Sequence, residues 1–467
     1  MQKIRYLIDP GFVSPGSATD ILQPFDGSVR FIVERRRLEQ YKNIRLWRKP
    51  LSFPDLSQSA VIDRRSHFNL PLHSFVLDDH QTALIYDRSQ RSIFFESASF
   101  RVAKISSLID QCDRIIREQC PEFVLFGSSP HTLCTWVFAK VAEFHGVKVK
   151  YLHGSVLPWR VFGLEGLSRV PAAFKFHQGG GARQMCDKEM SLIDELIEIK
   201  RSDGSEALPL YEKQRQVTHR GEAFRLMSSI RQRWRRPDLV VNAVRCFRAY
   251  EALATNTVPD YPYVIFFLHY QPERTTLPEG YGFAQQILAI KALASSLPPG
   301  VRILVKEHPS TFRNMCHWAE RTPIFYQKIT QEVGATLISM KIDSYGLIDR
   351  AVAIATITGT VAYESLIRGT PAVVFGVGGY YTWNQPDVHF YSNTSELARF
   401  LSAQSTSKRT HGSSSPRDNI KLIEGHTVSA DLSGIASVAD VESSRRVLRE
   451  SALLNGIRAI VEMSSAK

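Results

Sequence analysis

Three short polar stretches in this chain follow apolar runs, and each carries side chains able to bind anions or move protons. The first is "HYQPERTT", 269–276, after "YPYVIFFL". Pro272 and Pro278 stop that strand from continuing. Glu273 has the chemistry of a base, a nucleophile or a stabiliser of a positive transition state, with Gln271 beside it. An ion pair with the neighbouring Arg274 fits it equally. The second is "KEHPS", 306–310, after "VRILV". His308 there can donate to a phosphate or protonate a departing one, although a structural histidine fits the same pattern. The third is "TGT", 358–360, between "VAIATI" and "VAYESLIRG". Thr358, Gly359 and Thr360 present backbone N–H groups and hydroxyls where a helix begins, which suits an anion. A plain threonine N-cap on a glycine turn reads the same way. Glu364 follows one helical turn after Thr360, placed for ribose hydroxyls or for an ordinary cap or surface role.

The elements that must position these loops alternate. In the second half, "YVIFFLHY", "VRILVKEHP", "ATLISM", "VAIATITGT" and "TPAVVFG" read as strands. Between them "YGFAQQILAIKALASSLPPG", "PIFYQKITQEVG", "SYGLIDRA" and "VAYESLIRG" read as helices. Apolar strands separated by helices predict a doubly wound parallel sheet, with ligands at the carboxyl ends of the strands. All three polar loops fall at that edge. In the first half, "FVLFGSS", "PHTLCTWVFAKVAEFHG" and "VKVKYLHGS" form a strand–helix–strand unit for which parallel pairing is expected. "IRYLIDP", "VRFIVE" and "TALIYD" are further candidate strands. The span from about 160 to 255 reads as mostly helical and polar, with "HQGGGARQ" a loop. The expected division is an N-terminal α/β domain over 1–165 and a basic helical connector over 166–255. A Rossmann-like domain over 256–400 follows, then a Ser-rich loop and helices over 401–467. The fold class predicted is α/β, two Rossmann-like domains facing a cleft.

The chain has 467 residues and 43% hydrophobic content, enough for two full cores. Its six cysteines form no CxxC pair, and no run approaches the ~20 apolar residues of a membrane span. A reduced, cytoplasmic protein without a zinc site or a disulfide framework is expected. The net charge of +12 calls for an acidic partner. Much of it lies in 211–250, where arginines interleave with Phe224 and Trp234. A solvated helical connector fits this run; so does docking on an anionic membrane face. No RNP, KH, zinc-finger or helix-turn-helix pattern supports nucleic acid as the partner.

In order and spacing, "QPERTT", "KEHP" and "TGTVAYESLIRGTPAVVFG" resemble the bacterial capsule polysaccharide biosynthesis glycosyltransferases, including Kdo transferases. The resemblance spans roughly 120–390 and is weaker before 255. It implies a GT-B fold with the donor in the C-terminal domain, no metal and no cofactor beyond a nucleotide-sugar, and a CMP-activated acidic sugar such as Kdo. Carried over, Gln271, Glu273 and His308 are the catalytic candidates. His308 would contact the CMP phosphate with Lys306, Thr358, Gly359 and Thr360, and Glu364 would hold the nucleotide. Ser128, Ser129 and His131 of "GSSPH", and His153 and Ser155 of "LHGS", are acceptor-side candidates. The acceptor would be a growing or lipid-linked surface saccharide, with the enzyme at the inner membrane face among capsule-assembly proteins. Where some relatives carry an acidic residue two places before the glutamine, this chain has His269, which leaves the catalytic carboxylate open. A UDP- or GDP-sugar-dependent GT-B enzyme, an epimerase, and a non-catalytic glycan- or nucleotide-binding subunit remain alternatives.

Overall fold

The computed structural model describes residues 5–11, 13–15, 17, 28–33, 35–41, 50–54, 69–89, 97–168, 171–174, 176, 185–202, 237–271, 273–308, 311–312, 321–376, 387–406 and 415–465. The "HQGGGARQ" stretch and the part of the basic run holding Phe224 and Trp234 lie outside these residues, as does most of the Ser-rich stretch. The chain forms two compact α/β units, 1–186 with 423–467 and 187–422. No helix among the described residues is long and apolar enough to cross a membrane.

The first unit contains β1 (Tyr6–Asp9), β2 (Val29–Val33), β3 (Leu51–Ser52), β4 (Phe123–Phe126), β5 (Lys148–Gly154), β6 (Arg160–Glu165) and β7 (Ala172–Ala173). A late strand, β14 (Thr427–Ser429), joins them. The order across the sheet is β14-β6-β5-β4-β1-β2-β3, with β7 also on β6. From β3 to β5 every neighbouring pair is parallel. The expected strand–helix–strand unit is present as β4, the helix Leu133–Phe144 and β5. Thr132 and Thr135 close a capping box at that helix's start, and Gly146, at φ 72°, turns the chain out of it.

Four expectations are corrected here. "TALIYD" is helix, not strand, within His80–Ser89. Gln81, Thr82, Ile85 and Tyr86 are the buried positions, a helical spacing, and the Asp79 carboxylate accepts from the N–H of Thr82 and from the indole N–H of Trp136. The chain after 160 is not at once helical: β6 runs antiparallel to β5, with both β7 and β14 antiparallel to it. The units also divide elsewhere than at 165, 255 and 400. β6 and β7 extend the first sheet, and β14 returns to it. The helix Arg445–Ser465 follows, tied back by Lys150 Nζ donating to Ser464 Oγ (3.0 Å) and Asn455 Nδ2 to the Ser429 carbonyl (2.9 Å). The helix Pro237–Leu253, inside the span read as a connector, instead packs in the second unit with Asn242, Cys246 and Tyr250 buried.

The second unit is built on β8 (Tyr263–Phe267), β9 (Arg302–Lys306), β10 (Thr336–Ile338), β11 (Ala353–Thr356), β12 (Ala372–Val374) and β13 (Val388–Phe390). All neighbours are parallel, in the order β10-β9-β8-β11-β12-β13. Counted within the unit this is 3-2-1-4-5-6, the doubly wound order. Val264, Phe266, Val305, Ala355 and Val373 join one apolar core with Leu293, Ile329 and Leu401 of the surrounding helices. The strands are apolar throughout because both faces of the sheet are covered. Strand order reverses between β8 and β11, so the connections leaving their carboxyl ends part in opposite directions and open a crevice there.

The first sheet reverses between β1 and β4, where the backbones meet at Gly11 and Gly127. The Gly127 N–H donates to the Asp9 carbonyl (2.8 Å), and a Cβ on Gly127 would stand 3.0 Å from Gly11 N and from the Pro10 carbonyl. Those neighbours are backbone and cannot rotate away. Gly127→Ala is therefore expected to lower stability to urea by about 1–3 kcal/mol, while Gly154→Ala, with open space around it, should stay within about 0.5 kcal/mol.

Candidate active site

The crevice between β8 and β11 is organised around His269, two residues past the end of β8. Its backbone is clamped by Gln286, whose Oε1 accepts from the His269 N–H (2.8 Å) and whose Nε2 donates to the His269 carbonyl (3.0 Å). The same carbonyl accepts from Arg321 Nη2 (2.7 Å). The imidazole reaches across to the loop after β11. Nε2 lies 3.1 Å from Thr356 Oγ1 and accepts from the Thr358 N–H (3.3 Å). Nδ1 lies 3.4 Å from Glu273 Oε2.

The loop after β8 closes on itself through short-range bonds. Gln271, buried, donates its amide to Thr276 Oγ1 (2.6 Å) and accepts from the Glu273 N–H (3.3 Å). Arg274 pairs with Glu279 (3.1 Å), so Glu273 is turned to His269 instead. Thr358 Oγ1 donates to the Thr275 carbonyl (2.7 Å), a second tie between the two loops. Gly359 is required in this arrangement: a Cβ there would stand 2.7 Å from Thr356 Oγ1 and 3.5 Å from His269 Nε2.

Burial pushes the Glu273 carboxyl up, but hydrogen bonds from His269 and Thr275 and the electrostatic pull of the nearby His269 and His308 rings together bring it below its ordinary value. The carboxylate is thus held ionised at the carboxyl edge of the sheet. Burial, and then the charge of Glu273, raises the neighbouring Tyr270 hydroxyl.

The loop after β9 joins through His308, whose ring centroid lies 5.2 Å from that of Tyr270. Behind it Glu307 is fully buried. Its Oε1 accepts from the His308 N–H (2.8 Å) and from Thr311 Oγ1 (3.0 Å). Its Oε2 accepts from Arg321 Nε (2.9 Å) and from the Tyr326 hydroxyl (2.7 Å). Asn242 in turn donates to the Arg321 carbonyl (3.0 Å). One buried ion pair therefore links the His308 loop to the His269 loop.

Of the residues singled out in the sequence, the structure brings together Gln271, Glu273, His308, Thr358 and Gly359. Lys306 is directed away, its ammonium donating to the Ile342 carbonyl and to Ser344 Oγ (2.8 Å). Glu364 pairs with Lys200 (2.9 Å), on the helix Asp187–Arg201. Thr360, exposed, is the N-cap residue of Val361–Ile367 and makes no side-chain capping bond. The acceptor-side candidates belong to the first unit. Ser128 follows β4, His131 Nδ1 lies 2.9 Å from the Ser129 carbonyl, and His153 Nδ1 lies 2.8 Å from that of Gly154. Ser155 Oγ donates to the Leu157 carbonyl (2.9 Å).

Sequence reasoning missed Gln286, Glu307, Arg321 and Thr356 as parts of the site and left His269 without a role. His269 and Thr356 carried a signal, since each borders one of the polar loops. Arg321 carried none.

Removing one member of a buried pair strands the other's charge. Arg321→Met should cost about 3–5 kcal/mol in urea unfolding, and Glu307→Gln a comparable amount. Lys291→Met, which breaks an exposed pair with Glu332, should cost under about 1 kcal/mol.

No family model and no curated protein matches the sequence. Solved structures similar to it include the β-Kdo 2,4 transferase of Thermosulfurimonas dismutans KpsC, at 13% identity and TM-score 0.30 over 70% of this chain and 87% of that one. The β-Kdo 2,7 transferase of the same KpsC is similar at 11% identity and TM-score 0.28 over 76% and 97%. The UDP-GlcNAc 2-epimerase of Methanocaldococcus jannaschii is similar at 11% and 0.22 over 90% and 99%.

Proposed function

We propose that this protein is a GT-B glycosyltransferase that transfers an acidic sugar, of the Kdo class, from a CMP-activated donor to a growing or lipid-linked surface saccharide. The observation that carries this reading is the meeting of the loops after β8, β9 and β11 at the switch point of a 3-2-1-4-5-6 sheet, with an ionised carboxylate and a histidine among them. These are the loops whose motifs resemble the capsule polysaccharide glycosyltransferases. In doubly wound sheets a nucleotide binds at this edge.

In the reaction, the acceptor oxygen bonds to the sugar carbon while that carbon's bond to the phosphate oxygen breaks. The electron pair leaves on the phosphate. His308 is assigned to meet the phosphate, as hydrogen-bond donor or acid. Glu273 is assigned to the sugar carbon. Its negative charge steadies the cationic transition state, and it is the acceptor for the hydroxyl proton. The Thr358–Gly359 turn forms the wall that His269 supports. The donor's grip falls to these loops rather than to Lys306 or Glu364, whose side chains are engaged elsewhere in the unit. The basic run 211–250 supports a working position at an anionic inner-membrane face.

Thermal unfolding with CMP, UDP, GDP and AMP in parallel tests the donor class. A nucleotide at 100 times its dissociation constant adds about 2.7 kcal/mol. Stabilisation by CMP alone is the expected result, and stabilisation by UDP or GDP alone would overturn the CMP-sugar reading. With a CMP-activated sugar, His308→Ala should lower turnover by about 10²-fold or more at unchanged thermal stability of the free protein. Full activity in that variant would remove His308 from the mechanism.

A further inference from the structure

The two nitrogens of His269 do different things. A ring nitrogen that accepts an N–H bond bears no proton. Nε2 accepts from the Thr358 N–H, so the proton of the neutral ring sits on Nδ1, which faces Glu273 Oε2 at 3.4 Å and Thr275 Oγ1 at 3.4 Å. The His269 side chain is 9% exposed and that of Glu273 26%, so the carboxylate is the more accessible of the two. Arg274, the obvious partner for Glu273 by sequence, is taken by Glu279.

We propose that His269 is a positioning residue: its Nδ1–H orients the Glu273 carboxylate, while its Nε2 ties that carboxylate to the turn at Thr358. Glu273 is then the catalytic carboxylate, and the ring at the place where some relatives carry an acid takes no direct part in chemistry. The inference rests on the reaction proposed above. The titratable groups that face Glu273 include His269 and Tyr270 on its own loop and His308 from the loop after β9. Loss of the His269 donor leaves burial less opposed, so the carboxyl must rise and the acid limb of the activity profile must move to higher pH.

Two substitutions separate orienting Glu273 from merely bridging the loops. In His269→Asn the short amide can occupy the place of Nδ1 and still donate to Glu273. In His269→Gln the longer amide reaches the place of Nε2 and keeps the tie to Thr356 and Thr358 while losing Glu273. With a CMP-activated sugar, His269→Gln should lose turnover on the order of 10²-fold with its acid limb at higher pH, and His269→Asn should stay within about 10-fold of the parent with the limb in place. The reverse ranking with unmoved limbs would overturn the proposal and leave His269 as a bridge only. A second measurement needs no turnover: carboxyl carbon-13 titration of Glu273, assigned by Glu273→Gln, in the parent and in His269→Gln. The Glu273 signal should titrate at higher pH in His269→Gln; an unchanged titration would overturn the proposal even if the protein transfers sugar. If the parent transfers no sugar from any nucleotide, the proposed reaction fails, and the titration still decides whether His269 governs Glu273.

Discussion

The loops after β8 and β11 meet at one imidazole that spans the switch point of the second unit. β8 and β11 are adjacent in the sheet, but the loops that leave them belong to segments about ninety residues apart in sequence. Two loops parting at a crevice have no backbone ladder to hold them together, and water would enter between them. His269 bonds to the second loop through Nε2 and faces Glu273 through Nδ1. The Thr356 hydroxyl, the Gly359 backbone and the Glu273 carboxylate all lie against that one ring.

The placement is held from behind by charge. Glu307 and Arg321 are buried with hydrogen bonds on both partners, which is the condition under which a buried pair is tolerable. A buried apolar pair of the same volume would serve stability as well, but it would not grip the His269 carbonyl and the His308 N–H at once. The pair therefore fixes two loops relative to each other, and the helix Pro237–Leu253 extends that support through Asn242. A carboxylate held ionised beside a histidine needs such rigidity, because a shift of an ångström would change which group it faces.

Much of this was legible in the residues. The apolar runs ending in "HYQPERTT", "KEHPS" and "TGT" predict parallel strands with polar loops at one edge, and the sheet has that form. Glu273, His308 and Thr358 stand out because each lies in a polar loop that leaves the carboxyl end of a strand. Other features were not legible, for reasons of distance and length. Arg321 meets Glu307 and His269 across 14 and 52 residues, and no local pattern marks it. "TALIYD" has the composition of a strand, but it forms a helix whose start is capped by Asp79, which also holds Trp136. Lys306 and Glu364 have suitable types and spacing for phosphate and ribose. Their partners, Ser344 and Lys200, come from elements whose approach depends on the tertiary fold.

The proposed ligand-binding edge of the second unit is the set of loops joined by His269. Hydrogen–deuterium exchange with and without saturating CMP, and likewise UDP, reads this directly, because binding slows exchange where backbone becomes ordered. The nucleotide that binds should protect peptides covering 269–276, 306–308 and 356–360 together. Protection confined to the first unit, or to the β10 edge of the second sheet with those three loops unchanged, would contradict it.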